Sequence, residues 1–249
     1  MKSLICLPVL LVGLVGCSQL PEEAAPLRIL QLAGGCCHDY ENQKVVIAEG
    51  LKLRFDCEVD TVHEGDDRDY ELTIFKKDNW AADYDVVLFN ICYGHVKNEA
   101  MILDVVDQAT RAKKGIVALH CSAHSFRETT EGTAAWRAML GVSSKKHEKR
   151  HPIKVANRNS SHPIMKDFPD TWDIPEEEVY IIFDRAEGIE VLGDTYGLQT
   201  EATHPVIWTN KYREARVFGT TLGHFTETMA EEVFLDLVAN GALWSVGRL

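Results

Sequence analysis

The chain has 249 residues, 26 basic against 38 acidic side chains and a formal net charge of −12. The longest basic stretch, Lys145-Lys146-His147-Glu148-Lys149-Arg150, is broken by Glu148, which speaks against nucleic acid as a partner. An acidic balance of this kind serves solubility, and the length suits one domain with a full hydrophobic core.

Residues 1–17 read MKSLICLPVLLVGLVGC, one lysine and an apolar run of Leu4–Gly16 before a cysteine. The run falls short of the ~20 apolar residues of a membrane-spanning helix and has the shape of a secretory signal peptide. Leu14-Val15-Gly16-Cys17 resembles the bacterial lipobox, in which removal of the leader leaves a lipidated cysteine at the new terminus. The sequence therefore predicts a signal peptide over 1–16, lipidated Cys17 opening a polar tether over 17–26, and a single domain over 27–249. The protein is expected to be exported and held at a membrane by its lipid alone, on the periplasmic or cell-surface side. Loss of Lys2 with the leader leaves 25 basic against 38 acidic residues, a net of −13.

Strand and helix patterns then alternate. Leu27–Ala33 (LRILQLA) reads as a strand, Asn42–Leu53 as a helix, and Phe55–Thr61 as a second strand. Residues 66–83 are charged and irregular, with room for one turn of helix. Tyr84–Ile91 (YDVVLFNI) is a third strand. In Asn98–Lys114, Ile102, Val105, Val106 and Ala109 recur at helical spacing. Gly115–Leu119 (GIVAL) is apolar without alternation, as in a parallel strand covered on both faces. Thr133–Leu140 is a short helix. The stretch 151–210 holds short strands at Pro152–Ala156, Val179–Phe183, Glu190–Leu192 and Val206–Thr209. Ala215–Leu222 is a last core strand, and Thr228-Met229-Ala230-Glu231 has capping-box spacing that would open a closing helix with Val233, Phe234, Leu237 and Val238 inward. Alternating β and α predicts a doubly wound, mainly parallel sheet with short extra strands in its second half.

In such sheets ligands bind beyond the carboxyl ends of the strands. Those ends carry Cys36-Cys37-His38-Asp39, Cys92-Tyr93-Gly94-His95, His120-Cys121-Ser122-Ala123-His124 and Gly223-His224-Phe225-Thr226-Glu227. Five of the ten histidines thus fall on converging loops. Imidazoles gathered in a crevice can hold a metal, transfer protons near neutral pH or bind sugar hydroxyls. Asp39 can orient an imidazole, bind a hydroxyl or cap the helix that follows. His151 and His162 precede proline and read as loop-shaping residues. His204 and His147 suit a site or a structural role equally, His63 reads as solvated, and Glu178 reads first as structural although it can reach the crevice. The five tryptophans are too scattered for a stacking platform. Besides Cys17, Cys36, Cys37, Cys57, Cys92 and Cys121 are odd in number and read as small buried hydrophobes; the neighbours Cys36 and Cys37 are expected to be reduced or metal-associated. GGCCHDY after the first strand lacks the GxGxxG pattern, so no nicotinamide is expected, nor a flavin.

The segments GGCCHDYENQ (34–43), YGHVKNEA (93–100), GIVALHCSAHSFR (115–127), HEKRHP (147–152), SHPIM (161–165), EEVY (177–180), HPVIWTN (204–210) and RVFGTTLGHFTETM (216–229) resemble, in order, the ThuA-like (trehalose-utilisation) family. That resemblance implies a flavodoxin-like fold related to class I glutamine amidotransferases, and a small carbohydrate as substrate. In those amidotransferases a cysteine nucleophile sits at a sharp strand–helix turn, with His and Glu after a late strand. Here the turn position falls on His120, with Cys121 one residue beyond it, while His224 and Glu227 lie near the places of the late His and Glu.

The reading that follows is an exported, lipid-anchored enzyme on keto-sugars or related glycosides, working by proton transfer next to a carbonyl: isomerisation, elimination or hydrolysis. His120, His224, His124 and Glu227 are its candidate catalytic residues, and His38, Asp39, His95 and His204 its candidate substrate-binding ones. Zinc or another divalent metal can be held by His38, His95, His120 and His224. The alternatives are a non-catalytic sugar-binding lipoprotein and an amidase or peptidase using Cys121 with His224.

Overall fold

The computed structural model describes residues 25–249; the leader, Cys17 and most of the tether lie outside the described residues. Four parallel strands form the heart of the molecule: β1 (Leu27–Gly35), β2 (Cys57–His63), β3 (Val86–Cys92) and β4 (Gly115–Leu119). Between them run α1 (Tyr40–Lys52), α2 (Glu99–Thr110) and, after β4, α3 (Glu131–Leu140). The second half supplies β5 (Val142–His147), β6 (His151–Asn157), β7 (Thr171–Glu177), β8 (Tyr180–Arg185), β9 (Glu190–Gly197), β10 (Ala202–Tyr212) and β11 (Ala215–Thr220). Two helices close the chain, α4 (Thr226–Ala230) and α5 (Glu232–Ser245).

The main sheet has the order β2-β1-β3-β4-β11-β10-β9-β6-β7. Its first five strands are parallel in flavodoxin-like order, and the rest extend the sheet antiparallel. Strand β4 shows why its residues do not alternate in polarity. Val117 and Leu119 pack with Ile47 and Leu51 of α1 and with Phe234, Leu237 and Val238 of α5. Ile116 and Ala118 face the other way, onto Ile102, Val105 and Val106 of α2 and Trp136 of α3. Both faces are covered, so every position is apolar.

Three features depart from the sequence reading. The capping box at Thr228–Glu231 does not form: Glu231 is extended (φ −67°, ψ 140°) and separates α4 from α5, with its carboxylate taken by the Trp172 indole N–H at 3.0 Å. Strands β5 (VSSKKH) and β7 (TWDIPEE) form from polar segments that carry little strand signal. Strands β5 and β8 pair apart from the main sheet as a two-stranded ribbon. His147 at the end of β5 stands opposite Tyr180 at the start of β8, so the ribbon hangs over the carboxyl edge of the parallel strands. Among the described residues, no helix is long and apolar enough to cross a membrane.

Candidate active site

Each functional side chain is delivered by a strand end. β1 finishes on Gly34-Gly35, and Gly35, at φ +99°, lies so close to β3 that a Cβ would stand 2.4 Å from the Cys92 carbonyl oxygen. Only glycine allows that approach; it turns the chain across the sheet edge and sets His38 over the crevice. β4 runs straight into His120, whose backbone is left-handed at φ 42°. A non-glycine residue held there costs roughly 1–3 kcal/mol, and the sharp turn falls on His120 rather than on Cys121. The imidazole is fixed by its Nδ1–H, which donates to the Thr221 carbonyl at 2.6 Å. Because a carbonyl only accepts, Nε2 is left as the free nitrogen of the neutral ring. After β11, Gly223 at φ +100° bends the chain so that the Gly223 and His224 N–H groups both donate to buried Glu177, at 2.8 Å and 3.2 Å.

The three imidazoles meet. Ring centroids lie 4.6 Å apart for His38 and His120, 4.9 Å for His38 and His224, and 5.5 Å for His120 and His224. Each can offer one nitrogen to a common point, these atoms lying within 4.8 Å of one another. His38 Nδ1, His120 Nε2 and His224 Nδ1 are all buried without a hydrogen-bond partner, as are the hydroxyls of Tyr40 and Tyr180. Buried polar atoms are normally paired, so such a cluster calls for a ligand.

Glu178 faces the group. Its Oε2 is 3.5 Å from His120 Nε2, and its Oε1 is 3.4 Å from His224 Nδ1 and 3.5 Å from His147 Nε2. Burial opposes ionisation of this carboxyl, but the facing His120 and His224 outweigh it and hold it well below the usual carboxylate range. Burial likewise opposes protonation of His120, and the Glu178 and Glu177 carboxylates overcome it to raise that imidazole. His38 is pushed down to about 2, chiefly by burial and then by its neighbours His120 and His224, so it is neutral. His124 is pushed down to about 3, by burial first and Arg127 next. Its ring stacks on Tyr180 at 3.9 Å, and its Nε2 meets the Ser144 hydroxyl at 2.8 Å. A cavity of about 320 Å³ opens above, lined by His38, His124, His147, Glu178 and Tyr180, at the small end of small-molecule sites. His38 also lines a second recess with Asp39, His224 and Glu227.

The sequence profile of the ThuA (trehalose utilisation) family matches residues 28–245. The chain belongs to the ThuA family. A carbohydrate-related role comes with that membership. Among solved structures, a ThuA-like protein from Parabacteroides merdae is similar at 19% identity and TM-score 0.68, over 89% of this chain and 90% of that one. A ThuA-like protein from Bacteroides uniformis is similar at 20% identity and TM-score 0.65, over 91% and 95%. A GMP synthase protein from Thermoplasma acidophilum is similar at 14% identity and TM-score 0.52, over 89% and 96%. These likenesses are of fold. A sequence search of curated proteins finds no match.

Within this ThuA-family protein the expected site residues divide. His38, His120, His224 and His124 come together at the crevice. His95 does not join them: it lines a separate recess with Asp69, Glu71 and Lys97. Glu227 is exposed and pairs with none of the histidines, and the carboxylate facing them is Glu178. His204 is buried in a structural role, its Nδ1 accepting from the Ile182 N–H at 3.3 Å and its Nε2 meeting the Thr200 hydroxyl at 2.9 Å. Asp39 caps α1 by accepting from the Asn42 N–H at 3.2 Å, and stands exposed at the rim. The cysteines differ from expectation. Cys36 is bonded to Cys37 and Cys92 to Cys121, while Cys57 is free. The ends of β3 and β4 place the Cys92 and Cys121 Cα atoms 5.1 Å apart, within ordinary disulfide reach. A Cys121 bonded in this way has no free thiol to attack with. Sequence reasoning missed Glu177; the signal available was the pair Glu177-Glu178 between two strand-like segments.

Proposed function

We propose that this protein is an enzyme acting on keto-sugars or related glycosides, centred on His38, His120, His224 and Glu178, with a divalent metal cation seated among the three imidazoles. The observation that carries the reading is the meeting of three buried, unpartnered imidazole nitrogens from three separate strand ends. Two of these atoms, on His120 and His224, have only the Glu178 carboxylate near them, at 3.5 Å and 3.4 Å, and one cation would engage all three nitrogens. Three imidazoles beside a carboxylate form a donor set that suits zinc and leaves a position open, the cation taking the place of any proton on the ligating nitrogens. When bound, such a cation polarises a carbonyl oxygen or makes a water more acidic.

The chain's own side chains handle the proton. Ionised Glu178 accepts it from a carbon beside a carbonyl, or from water, and returns it to the product. His147, 3.5 Å from Glu178 and 40% exposed in its side chain, gives that proton a route to solvent. Neutral His124, held by Ser144 and stacked on Tyr180, offers a hydrogen bond to a sugar hydroxyl without adding charge. Export and a lipid anchor at Cys17 belong to the same proposal; export rests on the apolar leader over 1–16 and the anchor on Leu14-Val15-Gly16-Cys17.

The test is turnover of a keto-sugar panel by wild type, His120→Ala and His224→Ala. Both variants, which would empty the cation site, are expected to lose at least the 10²–10⁴-fold that removal of a positioned acid or base typically costs. Saturable sugar binding without turnover would make the protein a carrier and end the enzymatic reading. For the anchor, wild type should sediment with membranes and Cys17→Ser should not; a wild-type protein wholly soluble with residue 1 intact would refute it.

A further inference from the structure

The lining of the cavity is mainly cationic in an otherwise acidic protein. Arg68 from the loop after β2, Arg127 from the segment after β4, and Lys145 and Lys146 from β5 all line it, and Glu178 is the one acid there. Among the described residues, none of these four cations has a carboxylate within 4.0 Å, in contrast to Arg54, Arg111 and Arg158; Lys76, Lys97, Lys166 and Lys211 are unpaired too, and what distinguishes the four is that they line one cavity. What they touch instead is neutral. The Arg127 Nη1–H donates to the Lys145 carbonyl at 3.2 Å, the Arg68 Nε–H points at Cys36 Sγ at 3.1 Å, and Lys145 Nζ lies 5.8 Å from the Phe183 ring centre. Arg127 is admitted by Gly94: a Cβ there would stand 3.1 Å from its Nε. In a chain with acidic residues in excess, four cationic residues around one small cavity with a single acid among its lining make it a favourable place for an anion.

We infer that the substrate is a sugar bearing an anionic oxygen group, a carboxylate or a phosphate, which the Arg68, Arg127, Lys145 and Lys146 wall holds while the uncharged part of the sugar faces Glu178 and the histidines. The inference rests on the cavity being the carbohydrate site. A planar guanidinium such as that of Arg127 matches either group in two-pronged fashion, and the lysines add charge without direction.

Direct binding tests it without turnover, by calorimetry on the full mature chain with glucuronate, gluconate, glucose 6-phosphate, glucose, inorganic phosphate and acetate. At least one sugar anion should bind about 10-fold or more tighter than glucose, with an affinity that falls as salt rises. Whichever of carboxylate and phosphate sugars binds tighter names the group. Arg127→Gln and Lys146→Gln should each weaken the sugar anion by about 5-fold or more and leave glucose unchanged. Lys166→Gln, at an exposed position outside the cavity, should change nothing; melting curves confirm that all three variants fold. Equal binding of glucose and its acids overturns the inference while leaving the carbohydrate site standing. Binding of phosphate or acetate with no sugar anion bound overturns both. Absence of any sugar-anion binding at about 10 mM overturns the inference as well.

Discussion

Glu177→Gln tests whether the loop carrying His224 is held as described. The Glu177 side chain is fully buried, and every hydrogen bond it accepts comes from a backbone N–H group. Oε1 accepts from Glu178 at 2.9 Å and from His224 at 3.2 Å, and Oε2 accepts from Gly223 at 2.8 Å and from His224 at 3.2 Å. Glutamine is nearly the same size but keeps one acceptor and turns an NH2 donor onto at least one N–H. Hydrogen bonds to a charged group contribute about 1.5–3 kcal/mol each, and a buried donor left unmet costs about 1–3 kcal/mol. The losses are not additive, so we expect a net destabilisation of about 3 kcal/mol. For a domain of this size each kcal/mol lowers Tm by about 2–4 °C, giving a fall of roughly 6–12 °C. The same loop positions His224, and loss of a group that orients a metal ligand typically weakens metal affinity by about 10–100-fold. Thermal unfolding by circular dichroism and competitive zinc titration read the two effects. A Tm within about 2 °C of wild type together with unchanged zinc affinity would refute the reasoning.

Glu148 should govern acid stability. It is buried and accepts from the Gln199 and Thr200 N–H groups, the Thr200 hydroxyl and His151. Burial works against its ionisation, but those hydrogen bonds prevail and pull it down to about 2 from an ordinary 4.5. Its contribution is therefore complete above pH 4.5 and fades as pH falls towards 2. Urea unfolding at a series of pH values should show Glu148→Gln less stable than wild type by about 2 kcal/mol at neutral pH, with the gap closing below pH 4.5; a gap that does not change with pH contradicts this. His95→Ala should keep zinc affinity within about 2-fold while His38→Ala loses it by about 100-fold or more, and equal effects would dissolve the three-histidine grouping. Alkylation of the unfolded, unreduced protein should label Cys57 and none of Cys36, Cys37, Cys92 and Cys121, a pattern read by peptide mass; labelling of Cys121 would revive the thiol.

The parallel half of the fold was legible because its physics is local. Gly115–Leu119 is apolar at every position since both faces are covered, and the observed strand has those bounds. The second half was harder to read. Strands β5 and β7 take their pairing from neighbours rather than from their own polar composition, and the break at Glu231 depends on Trp172, which is distant in sequence. The gathering of His38, His120 and His224 follows from parallel strands ending on one edge. His95 stays apart although it too follows a strand. Its N–H donates to the Arg68 carbonyl at 2.9 Å, which ties it to the loop beyond β2. Glu178 could not be separated from a surface glutamate by sequence, because the ribbon that brings it over the edge is a tertiary feature.

Metal binding at the three-histidine cluster is the most direct test of the account. Zinc added to metal-free protein should bind at one ion per chain with anomalous scattering centred between His38, His120 and His224, His224→Ala should bind none there, and chelation should silence keto-sugar turnover. Metal-free protein that takes up no zinc and turns over substrate undiminished in chelator would contradict the account.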